Sequence, residues 1–124
     1  MATVKNLVID QGSTFTTTIV LSDALGTRLD LTGYTAYASM RKSYASLTAI
    51  DLDAAIAPDL LSGEIILFLH AIQTATLRPG RYVYDLDIVD DISGEVTRVV
   101  EGIVTVTPGV TKGYLGSGFL GSSV

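Results

Sequence analysis

Closely spaced carboxylates are the residues of this chain best suited to chemistry. Asp51 with Asp53 and Asp85 with Asp87 stand at i, i+2, and Asp90 adjoins Asp91. On a strand, i and i+2 point to the same side, so the first two pairs suit acid–base work or a hard cation. The same alternation builds an ordinary solvated polar face, which accounts for both pairs without a site. Asp90 and Asp91 run into Ser93-Gly94, where the EF-hand ligand spacing is missing and turn capping is the better account. His70 is the only histidine and cysteine is absent. A catalytic triad or a His/Cys metal cluster therefore has nothing to draw on. The glycines of GSGFLG lack the preceding strand, the following helix and the Lys-Ser/Thr pair that cradle a phosphate. We expect no catalytic, cofactor-binding or metal-ligating residues and no enzymatic activity.

Composition narrows the class further. At 124 residues with 48% hydrophobic residues, the chain has the size and apolar content for one domain with a real core. The formal net charge of −5 and the scattered Arg41, Lys42, Arg78, Arg81 and Arg98 offer no basic stripe for nucleic acid. No apolar run approaches a membrane span, and the N-terminus lacks a signal-peptide core, so synthesis in a cytosol without processing is expected. Six tyrosines raise another possibility, that Tyr34, Tyr37 or Tyr44 forms a stacking platform for a sugar.

The elements that would position these groups read as strands. In Pro79 to Val106, Tyr82, Tyr84, Leu86 and Ile88 share an apolar face, and Arg81, Val83, Asp85, Asp87 and Val89 the opposite one. Asp90 to Gly94 turn the chain, and Glu95 to Val106 return, making a hairpin. Gly102 is expected to shift its register as a bulge. Arg81 and Arg98 are expected across the hairpin near Asp85 or Asp87. Further strands are expected at Thr3 to Ile9 on an edge, Thr14 to Leu21, Tyr34 to Lys42 and Glu64 to Leu69, with a short extended piece at Arg28 to Leu31. Ala36 and Ala38 imply close approach of another layer. Leu47 to Ile56 fits helix or strand, and its Ile50, Leu52, Ala54 alternation favours strand. His70 to Leu77 has room for about two helical turns before Pro79-Gly80. The result is an all-β, antiparallel sandwich of about seven or eight strands with one short helix, over residues 1–110.

Residues 111–124, TKGYLGSGFLGSSV, differ in kind. Their Gly and Ser content predicts a flexible arm. On it Tyr114, Leu115, Phe119 and Leu120 read either as anchors that bind a partner or as groups that pack on the domain's own surface.

Four stretches, LVIDQGSTFTTTIVL, LDLTGYTAYASMRK, AIQTATLRPGRYVYDLDIV and VTRVVEGIVTVTPGVTK, occur in an order and spacing that resemble a family. These are small immunoglobulin-like virion structural proteins of tailed bacteriophages and prophages, and the pattern is similar to the N-terminal domain of phage baseplate upper proteins. The resemblance spans roughly Asn6 to Lys112. It implies an immunoglobulin-like fold and a non-enzymatic role in the virion, in tail, baseplate or neck, through contacts with other virion proteins and with further copies of itself. It implies that Asp30, Thr32, Gly33 and Tyr34 form a loop entering a main strand. It also implies that Thr74, Leu77, Pro79, Gly80 and Tyr82 form a turn-and-strand corner. Decoration of the head capsid and a carbohydrate-binding adhesin are the alternatives. The Gly-rich arm departs from the family's pattern.

Overall fold

A computed structural model describes residues 2–110. Period-two alternation dominates the sequence, and its apolar half closes two sheets on one core. Thr3–Val4 (β1), Leu7–Asp10 (β2), Phe15–Val20 (β3), Tyr34–Arg41 (β4), Ile50–Asp51 (β5), Ala54–Ile56 (β6), Glu64–Leu69 (β7), Gly80–Asp90 (β8) and Val96–Thr107 (β9) are the strands, and Ala71–Ala75 is the helix α1. One sheet runs β1-β9-β8-β4-β5, with β2 also on β9, and the other runs β3-β7-β6. This is an all-β sandwich with immunoglobulin-like strand order.

The two layers meet through the residues that alternation places inward. Ala36, Ala38, Met40, Tyr82, Tyr84, Leu86, Ile88, Val100, Val104 and Val106 come from the larger sheet, and Phe15, Ile19, Ile65, Leu67 and Leu69 from the smaller. Burying each large apolar side chain is worth about 1.5–3 kcal/mol. Ala36 and Ala38 are small where β6 crosses β4, as close approach requires. Leu21, Leu31, Leu52 and Leu77, which lie outside the strands, are buried in the same core.

A corner specific to such sandwiches fixes the start of β8. Tyr82 lies near its first residue, and its hydroxyl donates to the Arg78 carbonyl at 2.8 Å. This is the tyrosine-corner arrangement. Thr74 is fully buried beside it. Its hydroxyl accepts from the Gly12 amide at 3.0 Å and donates to the Ser13 carbonyl at 2.8 Å, tying α1 to the turn between β2 and β3. The residues Thr74 to Tyr82 therefore do form a corner, and Asp30 accepts from the Thr32 amide at 2.9 Å in the loop that enters β4.

Five expectations need correction. The sandwich is mixed, because β1 and β2 both pair with β9 in parallel. The described residues hold nine strand segments, because two expected strands are divided. Thr3 to Ile9 breaks at Lys5-Asn6, where the Asn6 carboxamide accepts from the Ile103 amide instead of continuing the ladder. Leu47 to Ile56 breaks at Leu52-Asp53: β5 pairs with β4, β6 with β7, and Asp53 takes a φ of 21° as the chain changes sheets. The hairpin register shifts between Leu86 and Asp87, not at Gly102. A side chain at Gly102 would collide with the Lys5 carbonyl oxygen, so its role is to admit the N-terminal segment. α1 spans about half of His70 to Leu77, because Leu77 turns inward to the core and Pro79 follows.

Candidate functional site

The outer face of β8, β9 and β4 gathers the closest charged groups among the described residues. Asp85 and Asp87 point outward from β8 because Leu86 points inward. The register shift beside Leu86 brings Arg98 opposite Asp87. Its guanidinium lies 3.2 Å from Asp85 Oδ2, 3.9 Å from Asp87 Oδ1 and 3.4 Å from Glu101 Oε1. Among the described residues no ion pair engages Arg81, whose partner across the hairpin is Thr105. The expected cross-strand arrangement therefore holds for Arg98 alone.

Asp87 Oδ1 is shielded from solvent and accepts no hydrogen bond among the described residues. Burial and the neighbouring Asp85 raise its pKa above the ordinary carboxylate value, and Arg98 opposes them. Ser39, Arg41, Tyr44 and Val83 complete a shallow hollow of about 400 Å³ around the group. One guanidinium is thus shared by three carboxylates, a cross-strand cluster that keeps a formal excess of negative charge.

The remaining candidate groups do not converge. Asp51 lies on β5 and Asp53 beyond the break, so the pair does not share one strand face. Asp90 accepts from the amides of Ile92 at 2.9 Å and Ser93 at 3.2 Å. Those bonds hold its pKa below the usual value, as turn capping requires. Asp91 accepts from the Thr35 hydroxyl at 2.6 Å. His70 sits before α1, its ring set edge-on to Phe68 with centroids 4.7 Å apart, and its backbone amide donates to Gln73 Oε1 at 2.8 Å. Among the described residues no group of three His, Cys, Asp or Glu could hold a metal ion. No helix among them is long and apolar enough to cross a membrane.

The tyrosines divide by environment. Tyr82 and Tyr84 are core residues, and burial pushes the Tyr84 phenol up to about 12. Its hydroxyl donates to the Lys5 carbonyl, across the sheet edge. Tyr34 is half-buried against the core, while Tyr37 and Tyr44 are exposed. Tyr37 stands directly opposite Asp87 on the outer face.

One feature of the surface carries little signal in the sequence. Two adjoining hollows of about 390 and 430 Å³ share Ile50 and Tyr82, between α1, β5 and the loop after β4. They are apolar inside, with Ile72 and Leu47 exposed at their walls. Their lining is drawn from separate segments, the stretch after β4, α1 and its end, and the start of β8, so local periodicity is blind to them. The anchors expected on the arm, Tyr114, Leu115, Phe119 and Leu120, lie outside the described residues.

No protein-family model matches the chain, and no curated protein matches it.

Proposed function

We propose that the chain is a non-enzymatic structural protein of a tailed-bacteriophage virion, a tail, baseplate or neck component present in many copies. It acts by binding other virion proteins and copies of itself. The observation that supports this reading is the pairing of the LDLTGYTAYASMRK and TATLRPGRYVYDL motifs with surfaces made for contact rather than turnover. The clustered charges among the described residues are tied up in ion pairs to one cation, Arg98. In contrast, contact surfaces are plentiful. β3 is an outer strand of its sheet and carries neither charge nor proline between Phe15 and Val20. Such an edge invites pairing with another chain. The apolar hollows and the arm's large side chains add apolar surface on which such contacts can draw.

The mechanism is burial of apolar surface, edge pairing and arm docking during assembly in the host cytoplasm. Deleting Gly113 to Val124 is expected to leave the β-sandwich folded and to reduce its incorporation into particles. Normal incorporation would remove the arm from this mechanism.

A second reading, a carbohydrate-binding adhesin, is favoured by the exposed Tyr37 and Tyr44 beside polar groups of the same face. Glycan-array binding abolished by Tyr37→Ala would select it over the assembly role.

A further inference from the structure

The groove formed by the two hollows is large, apolar and uncovered within residues 2–110. Leu47 is 98% exposed at one wall and Ile72 56% at the other. Adjoining apolar side chains of that size generally mark a surface with a partner. The arrangement around Gln11 identifies one.

Gln11 Nε2 donates to the Leu77 carbonyl at 2.9 Å, and Gln11 Oε1 accepts from the Gly109 amide at 3.0 Å. Leu77 itself lines the first hollow. A single glutamine thus holds the end of the described chain at the groove's lip. Only Val110 to Gly113 separate that point from the apolar residues of the arm. Four residues span up to about 13 Å, some three strand spacings, which is enough to enter the first hollow from its Leu77 end.

The arm's sequence matches the groove in number and kind. Its apolar residues come as two pairs, Tyr114-Leu115 and Phe119-Leu120, separated by Gly-Ser-Gly. The groove has two hollows, the first reached through Leu77 and the second bounded by Leu47 and Lys42. We infer that the groove takes the chain's own segment Tyr114 to Leu120, with Tyr114-Leu115 in the first hollow and Phe119-Leu120 in the second. A tether this short gives an effective concentration in the millimolar range, so weak apolar contacts suffice. The inference stands apart from the virion reading. A stowed arm is also the form from which exchange between copies proceeds at little cost.

The absence of cysteine makes the test clean. The full-length Leu47→Cys/Phe119→Cys variant, oxidised in solution, is expected to form a disulfide within one chain. It would appear as a faster-migrating monomer that dithiothreitol reverses, in a yield unchanged by tenfold dilution. Leu47 is almost wholly exposed, so this change spares the fold. A disulfide-linked dimer whose yield falls on dilution would overturn the inference and make a second copy the occupant. As an independent check, deleting Gly113 to Val124 is expected to speed amide exchange in Ile50 and α1 at least tenfold. Unchanged exchange together with no cross-link would also overturn it. Particle composition bears on the virion reading alone, so failure of either leaves the other standing.

Discussion

The two faces of β8 teach different lessons. Inward, Tyr82, Tyr84, Leu86 and Ile88 are locked by packing and by two tyrosine hydroxyls that satisfy backbone carbonyls. Outward, Asp85 and Asp87 share one arginine with Glu101, half in water. The inner face determines whether the chain folds, because each of its side chains loses its whole water-facing surface. The outer face contributes little to stability, since partly exposed ion pairs are typically worth 0.2–1 kcal/mol. It is the inner face that resists substitution and the outer face that is free to serve contacts.

The sharpest way to break this contrast is Leu86→Ala. Leu86 has no exposed surface, and the change is expected to cost about 2–5 kcal/mol in chemical denaturation. Val83→Ala, one strand face away, is expected to stay within about 0.5 kcal/mol. Equal effects would refute the division of faces.

Tyr84 supplies an intermediate test through pH. Burial raises its folded-state pKa to about 12, against an ordinary value of 10.0. The neutral phenol is therefore the form the fold prefers. Tyr84's contribution is constant below pH 10 and is lost as pH rises from there towards 12. Tyr84→Phe is expected to remove the Lys5 bond, costing about 0.5–1.5 kcal/mol at neutral pH, and to flatten the alkaline decline. Stability measured by denaturant titration from pH 8 to 11.5 reads both.

Asp87 should give the smallest effect, with the same pH sense as Tyr84 but in an acid window. Its pKa is raised in the fold, so the ionised carboxylate opposes folding at neutral pH. That cost disappears as pH falls through the raised pKa towards 3.8. Asp30 and Asp90 have lowered values, and their contributions are lost over the acid side instead. Asp87→Asn is expected to change neutral-pH stability by less than about 1 kcal/mol and to remove the gain contributed by Asp87 on mild acidification. Denaturation midpoints followed from pH 7 down to about 3.8 compare the two.

The fold was largely legible because period-two alternation in Phe15 to Leu21, Tyr34 to Met40 and Tyr82 to Ile88 states which side faces the core. Departures arose where a long-range partner overrode the local pattern. Leu52 obeys its alternation and is buried, yet the chain changes sheets immediately after it. The hairpin's register shift falls beside Leu86, where no glycine marks it, and Gly102 answers instead to the Lys5 backbone. The pairing of Arg98 with Asp85 and Asp87 was readable, since cross-strand neighbours follow from a hairpin. The apolar groove was not, because Ile50, Ile72, Leu77 and Tyr82 come from separate segments and meet only after folding.

The proposed role is tested most directly by quantitative mass spectrometry of particles purified from a lysate of cells that produce this chain. The account predicts the protein at a fixed multiple of the particle's known ring or shell symmetry. Its absence from mature particles, with the protein abundant in the lysate, would contradict it.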